Sequence, residues 1–146
     1  MALHTYDPKE VLVIIGGAPI GGFADGTAIK VNRASDAYSK VVGADGIVSR
    51  ARSNDTSGEV SITLAQTSPS NDVLSAIAAV DEASNAGVIP ILIMDTLGRS
   101  TFVSAFGWIR KQADAEFAKE ITNREWVLDA ADITMFVGGN TTEEPA

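Results

Sequence analysis

Residues 59–66 read EVSITLAQ, and this strict alternation constrains the chain more than any other stretch: Val60, Ile62 and Leu64 point one way, Glu59, Ser61, Thr63 and Ala65 the other. A period of two belongs to strand side chains, so the segment is a strand with one wet face and one buried face. Such a strand needs neighbours and a core beneath it.

The rest of the chain supplies them. Residues 11–15 (VLVII) form a β-branched apolar run stopped by Gly16 and Gly17 and read as a buried strand. After a turn-rich stretch, 18–26, residues 27–33 alternate with Ile29 and Val31 on one face and Lys30 and Asn32 on the other, a natural hairpin partner for 11–15. Residues 38–52 place Val41, Val42, Ile47 and Val48 around Gly43-Ala44-Asp45-Gly46, a turn signal, and read as a second hairpin. It carries Lys40, Arg50 and Arg52, which with Lys30 and Arg33 make a local positive patch in an acidic chain; a solvated hairpin with scattered charge would read the same. Residues 88–94 (VIPILIM) and 101–110 (TFVSAFGWIR) pair across the turn 95–99, and both of their faces are largely apolar, so something covers each. Residues 111–123 read as a loop or extended connection, and 124–137 as a closing strand interrupted at 129–132.

One helix stands among them. Ser68 and Pro69 suit its N-cap and first turn, Gly87 suits the position just past its end, and Val73, Leu74, Ile77 and Val80 make a core-facing stripe at helical spacing. About seven strands and one helix predict a mainly β protein, an antiparallel β-sandwich or partly closed barrel with one flanking α-helix. A chain of 146 residues, 45% hydrophobic, forms one domain over 1–140, with 141–146 (TTEEPA) as a flexible tail.

The usual catalytic inventory is nearly empty. Without cysteine there is no disulfide scaffold, thiolate nucleophile or Cys-ligated metal, and a Ser-His-Asp triad would have to use the one histidine, His4, in a region near the N-terminus expected to be mobile. The glycines at 16, 17, 21, 22 and 26 match neither the P-loop nor GxGxxG and serve turns. Asp129, Asp132, Glu116 and Glu120 offer chance carboxylate pairs that the sequence does not bring together. Asp45, Asp55 and Asp95 sit in turns where such side chains bond their own backbone, so they need not be calcium ligands. No catalytic residue, metal or cofactor is expected. With 11 Lys+Arg against 19 Asp+Glu the net charge is −8, which argues against gripping nucleic acid through phosphate contacts but not against letting DNA pass. No apolar run approaches the ~18 residues of a membrane-spanning helix, and the N-terminus is too polar for a signal peptide.

Taken in order, VLVIIGGAPIGGFADGTAIKVNR, GADG and then SRARSNDTSGEVSITLAQTSPSN, IPILIMDTLGRSTFVSAFGWI and REWVLDAADITMFVGGN resemble the tail tube protein of contractile-tailed bacteriophages, of a type found in phages of pseudomonads. The resemblance spans about 11–140. It implies hexameric rings stacked into a hollow tube inside a contractile sheath, with the DNA genome passing through the lumen without specific binding. It further implies tape measure, baseplate or tube initiator and tail terminator proteins as partners, a place in the virion tail, and assembly in the host cytoplasm. By position, Lys40, Val41, Val42, Ile47, Val48, Arg50 and Arg52 would form an inter-subunit arm, and Glu59, Ser61, Thr63, Asp129 and Asp132 are candidates for an acidic lumen face. Two alternatives share the β architecture: the tube protein of a type VI or related contractile secretion system, and a monomeric carbohydrate-binding module using Trp108 or Trp126.

Overall fold

The computed structural model describes residues 3–140 and 142–143. Its elements are β1 (Leu3–His4), a 3-10 turn (Pro8–Glu10), β2 (Val11–Ile15), β3 (Ala18–Pro19), β4 (Ile29–Arg33), β5 (Tyr38–Val42), β6 (Val48–Arg52), β7 (Gly58–Ala65), α1 (Ser70–Ser84), β8 (Ile89–Asp95), β9 (Thr101–Lys111), β10 (Asn123–Ala130), β11 (Thr134–Phe136) and β12 (Thr142–Glu143). The protein is mainly β, and every strand pairing is antiparallel. The main sheet runs β3-β2-β8-β9-β10-β7-β4, with β11 also paired to β9. Residues 142–143 of the expected tail pair with Leu3–His4, while 141 and 144–146 lie outside the described residues.

The alternation of β7 is realised in full: Val60, Ile62 and Leu64 are completely buried and the residues between them half-buried. These side chains meet Val13 and Ile15 of β2, Ile91 and Ile93 of β8, and Trp126 and Leu128 of β10 in one cluster. Strands from the two ends of the sheet can share a core only because the sheet rolls up on itself.

The pairing expected between 11–15 and 27–33 does not form. β2 lies between β3 and β8, and β4 lies on β7. The stretch between them is too long for a tight turn and instead straps the barrel. Ile20 N–H donates to the Val13 carbonyl (2.9 Å), then Ala65 N–H donates to Gly22 (2.9 Å) and Ala24 N–H to Thr63 (3.1 Å), so the strap carries the chain from β2 to β7. Gly22 is required there, because its φ is +73° and a Cβ would stand 2.5 Å from the Ser68 hydroxyl. Between the strap, β2 and β4 a cleft of about 1020 Å³ opens, lined by Val11, Ile20, Phe23, Ile29, Val31 and Phe102 among others.

Helix α1 packs on the core through one face. Leu74 is fully buried and Ala78 nearly so, and Val73 and Ile77 pack partly against the core; Val80, expected to complete the stripe, is 49% exposed. No helix residue after Ala78 is buried, so the C-terminal half overhangs the core. The caps are also shifted. Pro69 occupies the N-cap, while the Ser68 hydroxyl donates to the Gly21 carbonyl (2.6 Å) and accepts from Ser70 N–H (3.2 Å), tying the helix start to the strap. Asn85, with φ +56°, closes the helix in place of Gly87. Asn71 locks helix to sheet: its amide donates to the carbonyls of Ala65 (3.0 Å) and Ser68 (3.1 Å) and accepts from the Trp126 indole (2.9 Å).

Candidate assembly arm and channel face

Among the described residues β5 and β6 pair only with each other, and every residue in them is exposed. The turn between them is built as its residues dictate. Gly43 N–H donates to Ile47 O (2.8 Å), Gly46 takes φ +84°, and Asp45 accepts from Ile47 N–H (3.1 Å). Register sorts the arm's side chains onto two faces, since opposed residues project the same way. Tyr38/Arg52, Lys40/Arg50 and Val42/Val48 share one face, and Ser39/Ala51 and Val41/Ser49 the other. All three basic residues of the arm therefore stand together, with the Arg50 guanidinium 4.4 Å from the centre of the Tyr38 ring. The wider patch expected with Lys30 and Arg33 is not assembled. Arg33 donates to the Ile133 carbonyl (2.7 Å), and Lys30 sits on the main sheet opposite Ser61.

The base of the arm is clamped by Asp55. Ser35, before the arm, donates its hydroxyl to Asp55 (2.7 Å), and Ser57, after it, donates both hydroxyl and backbone N–H (2.5 and 3.0 Å). These donors, the Ser57 hydroxyl first, then Ser35, then the Ser57 amide, hold the carboxyl at about 2 against an ordinary 3.8. A depressed carboxylate pKa favours the folded clamp above the ordinary value, and the benefit disappears as pH falls toward 2. We expect carbon-13 titration to give Asp55 a midpoint near 2, rising on Ser57→Ala more than on Ser35→Ala. A midpoint at 3.8 in the unmodified protein would mean the clamp is not formed in solution. Asp95 likewise accepts from its own backbone, at Leu97 N–H (3.2 Å), so Asp45, Asp55 and Asp95 all behave as turn residues.

The outward face of β7 brings together four of the five residues expected to line a channel. Glu59 is opposite Asp129, and Ser61 and Thr63 are opposite Val127 and Glu125. Asp132 is not among them: it stands exposed in the bend between β10 and β11. What sequence reasoning missed is Arg110, which reaches Glu59 and Asp129 at 3.1 Å each across three strands. Nothing local in the sequence marks that residue, because its partners are distant in the chain and adjacent only through register. Lys30 and Asn32, opposite Ser61 and Glu59, extend the same face on β4.

Trp108 lies on this outward face opposite Asp129, whereas Trp126 is 3% exposed in the core, so the two indoles share no platform. The connection 112–122 has no regular structure. Arg124 organises it, donating to Thr122 Oγ1 (2.6 Å) and the Glu116 carbonyl (2.9 Å) and lying over the Phe117 ring. Among the described residues no His/Cys/Asp/Glu group suits a metal ion, and no helix is long and apolar enough to cross a membrane.

This rolled antiparallel sheet with one helix is the fold of tube and terminator components of contractile injection machines. It matches the sheath/tube terminator of an extracellular contractile injection system, PVC, with TM-score 0.67 and 13% identity over 92% of this chain and 99% of that one. It also matches the PVC sheath–tube complex (TM-score 0.61, 11% identity, 90% and 91% covered) and the anti-feeding prophage tube-terminating cap (0.65, 10%, 93% and 93%). Residues 14–138 match the family model of the bacteriophage PhiTE tail tube protein, and the chain belongs to that family. It is 33% identical to structural protein ORF10 of Pseudomonas phage KPP10, over 97% of this chain and 87% of that relative. The chain is thus a phage tail tube structural protein.

Proposed function

We propose that six copies close into a ring, that rings stack into a hollow tube inside a contractile sheath, and that the phage genome passes through the lumen into the host. Terminator, tape measure and baseplate initiator proteins would meet this tube at its ends or along its bore, with assembly in the host cytoplasm. The observation that carries the reading is the arm: Val41, Val42, Ile47 and Val48 are 58–70% exposed on a hairpin that pairs with no other strand among the described residues. An isolated two-stranded hairpin is marginal in water, so a neighbour is the natural source of its missing partner surface. A ring also removes free sheet edges such as the outer side of β4.

The outward face of β7 and β10 is the proposed channel lining. Its charge is balanced: Glu59, Glu125 and Asp129 stand with Lys30, Arg110 and Lys111. Phosphates then meet hydroxyls and cations that are already paired, Arg110 with Glu59 and Asp129 and Lys111 with Asp114, instead of a basic surface. The likeness to injection-system tubes is one of fold, whereas family membership places the chain among phage proteins.

Negative-stain microscopy of the purified protein should show hollow rings or tubes; a uniform monomer at every concentration would contradict the reading. Fluorescence anisotropy with duplex DNA at physiological salt should show no binding, as expected at net charge −8. Tight, salt-sensitive binding would overturn the passive channel, because a bore that grips phosphate stalls the genome.

A further inference from the structure

We propose that the basic, aromatic face of one copy's arm docks on the groove beside helix α1 of the next copy. Tyr38, Lys40 and Arg50 would lie toward Asp72, and the Val42/Val48 tip would be seated against Ala76 and Val80. The inference rests on the tube reading and adds the surface that receives the arm.

Charge singles that surface out. Between Arg52 and Arg99 the sequence contains no Lys or Arg, and helix α1 lies within this stretch carrying Asp72, Asp81 and Glu82. Asp72, Ala76 and Val80 follow one another at four-residue steps and therefore form one stripe. Beside it lies a shallow groove of about 210 Å³ walled by Ala76, Ile77, Val80, Ala86, Gly87 and Ile89, with Val80 about half exposed. The groove has room for one or two small branched side chains, which is what the arm's tip presents. The other apolar surfaces fit the arm less well. The large cleft between β2 and β4 is lined by Lys9 as well as Asp25 and Asp95, and the connection around Phe117 mixes Lys111 and Lys119 with its acids. The outward face bearing Leu12, Ile14, Leu92 and Met94 offers no counter-charge in its registered positions.

Topology makes the contact intermolecular. The arm leaves the body just before Gly58, and the helix follows just after Ala65, so the two stand at opposite ends of β7. Eight strand residues separate them by roughly 25 Å. An arm at one end meeting a helix at the other is a head-to-tail contact, the kind that closes a ring or propagates along an axis.

The absence of cysteine allows a clean test. Val42→Cys protein is mixed with Val80→Cys protein, oxidised under the conditions used for microscopy, and run on a non-reducing gel. Both positions are exposed, so neither change disturbs the core. The expected result is a disulfide-linked pair several times more abundant than in a mixture of Val42→Cys with Phe117→Cys. Equal coupling to Phe117→Cys, or no coupling to Val80→Cys, overturns the docking. Tubes in the micrographs without that crosslink would sink the docking and leave the tube; the crosslink without tubes would do the reverse. As a second measure, Arg50→Glu and Asp72→Lys should each weaken assembly about fivefold at low salt, the worth of one exposed ion pair. The double variant should recover most of the loss. Additive losses in the double variant would count against the pairing.

Discussion

Replacing residues 41–48 with a short Gly-Ser turn leaves a cooperatively folding monomer and abolishes rings and tubes. The first half follows from where the core lies: it contains no residue between Val31 and Val60, so the subunit loses no buried contact with the arm. The base of the arm survives the change, since Asp55, Ser35, Ser57 and the Arg33–Ile133 bond all lie outside the replaced segment. Closing a shorter loop changes the entropy of the unfolded chain by only about 1 kcal/mol. The second half follows from the exposure of Val41, Val42, Ile47 and Val48, whose burial against a neighbour would contribute roughly 1.5–3 kcal/mol per fully buried side chain. Arg50→Glu with Arg52→Glu should weaken assembly less, mainly at low salt, because rim charges steer association more than they hold it. Circular dichroism and sedimentation read the two halves separately. An unfolded product would make the arm part of the core, and normal polymerisation would remove it from the assembly interface.

How far the sequence could be read depended on the range of each interaction. The alternation of 59–66, the Gly43–Gly46 turn and the break at 129–132 are short-range signals, and the structure has strands or turns at each. The partner of β4 is not legible, because strap residues 22 and 24 make their hydrogen bonds to Ala65 and Thr63 of β7, which is no sequence neighbour. The helix end was misplaced for a different reason. Asn85 tolerates the left-handed conformation nearly as glycine does, and the helix stopped two residues before the glycine that looked like its terminus. At the channel face, Glu59, Ser61 and Thr63 could be assigned to one side from their period alone. Placing Asp129 beside Glu59 and Arg110 between them required register across three strands. The arm's apolar and basic residues were visible in the sequence, but their division into a basic and a neutral face appears only once Tyr38 is known to oppose Arg52.

Lysine at Ile62 or Leu64 should unfold the subunit, whereas lysine at Ser61 or Thr63 should leave it folded. Ile62 and Leu64 are completely buried, and Ile62 stands opposite both Trp126 and Ile29 in the middle of the core. A cation placed there has no carboxylate to meet, and burying it costs several kcal/mol, comparable with the whole stability of a domain this size. Ser61 and Thr63 face outward, where a lysine can lay its stem on the sheet and keep its ammonium wet. Register separates even these two. A lysine at 61 would stand opposite Lys30, while one at 63 would stand opposite Glu125, so the Thr63 variant should melt at the higher temperature of the pair. If this face lines the bore, both variants should also assemble into tubes whose lumen, having gained one cation per subunit, retains DNA that the unmodified tube releases. Thermal denaturation tests the first claim, and equal melting of inward and outward variants would show that the faces of β7 are misassigned. DNA retention tests the second: folded tubes of the Ser61 and Thr63 variants that release DNA as freely as the parent would move the channel to another surface of the subunit.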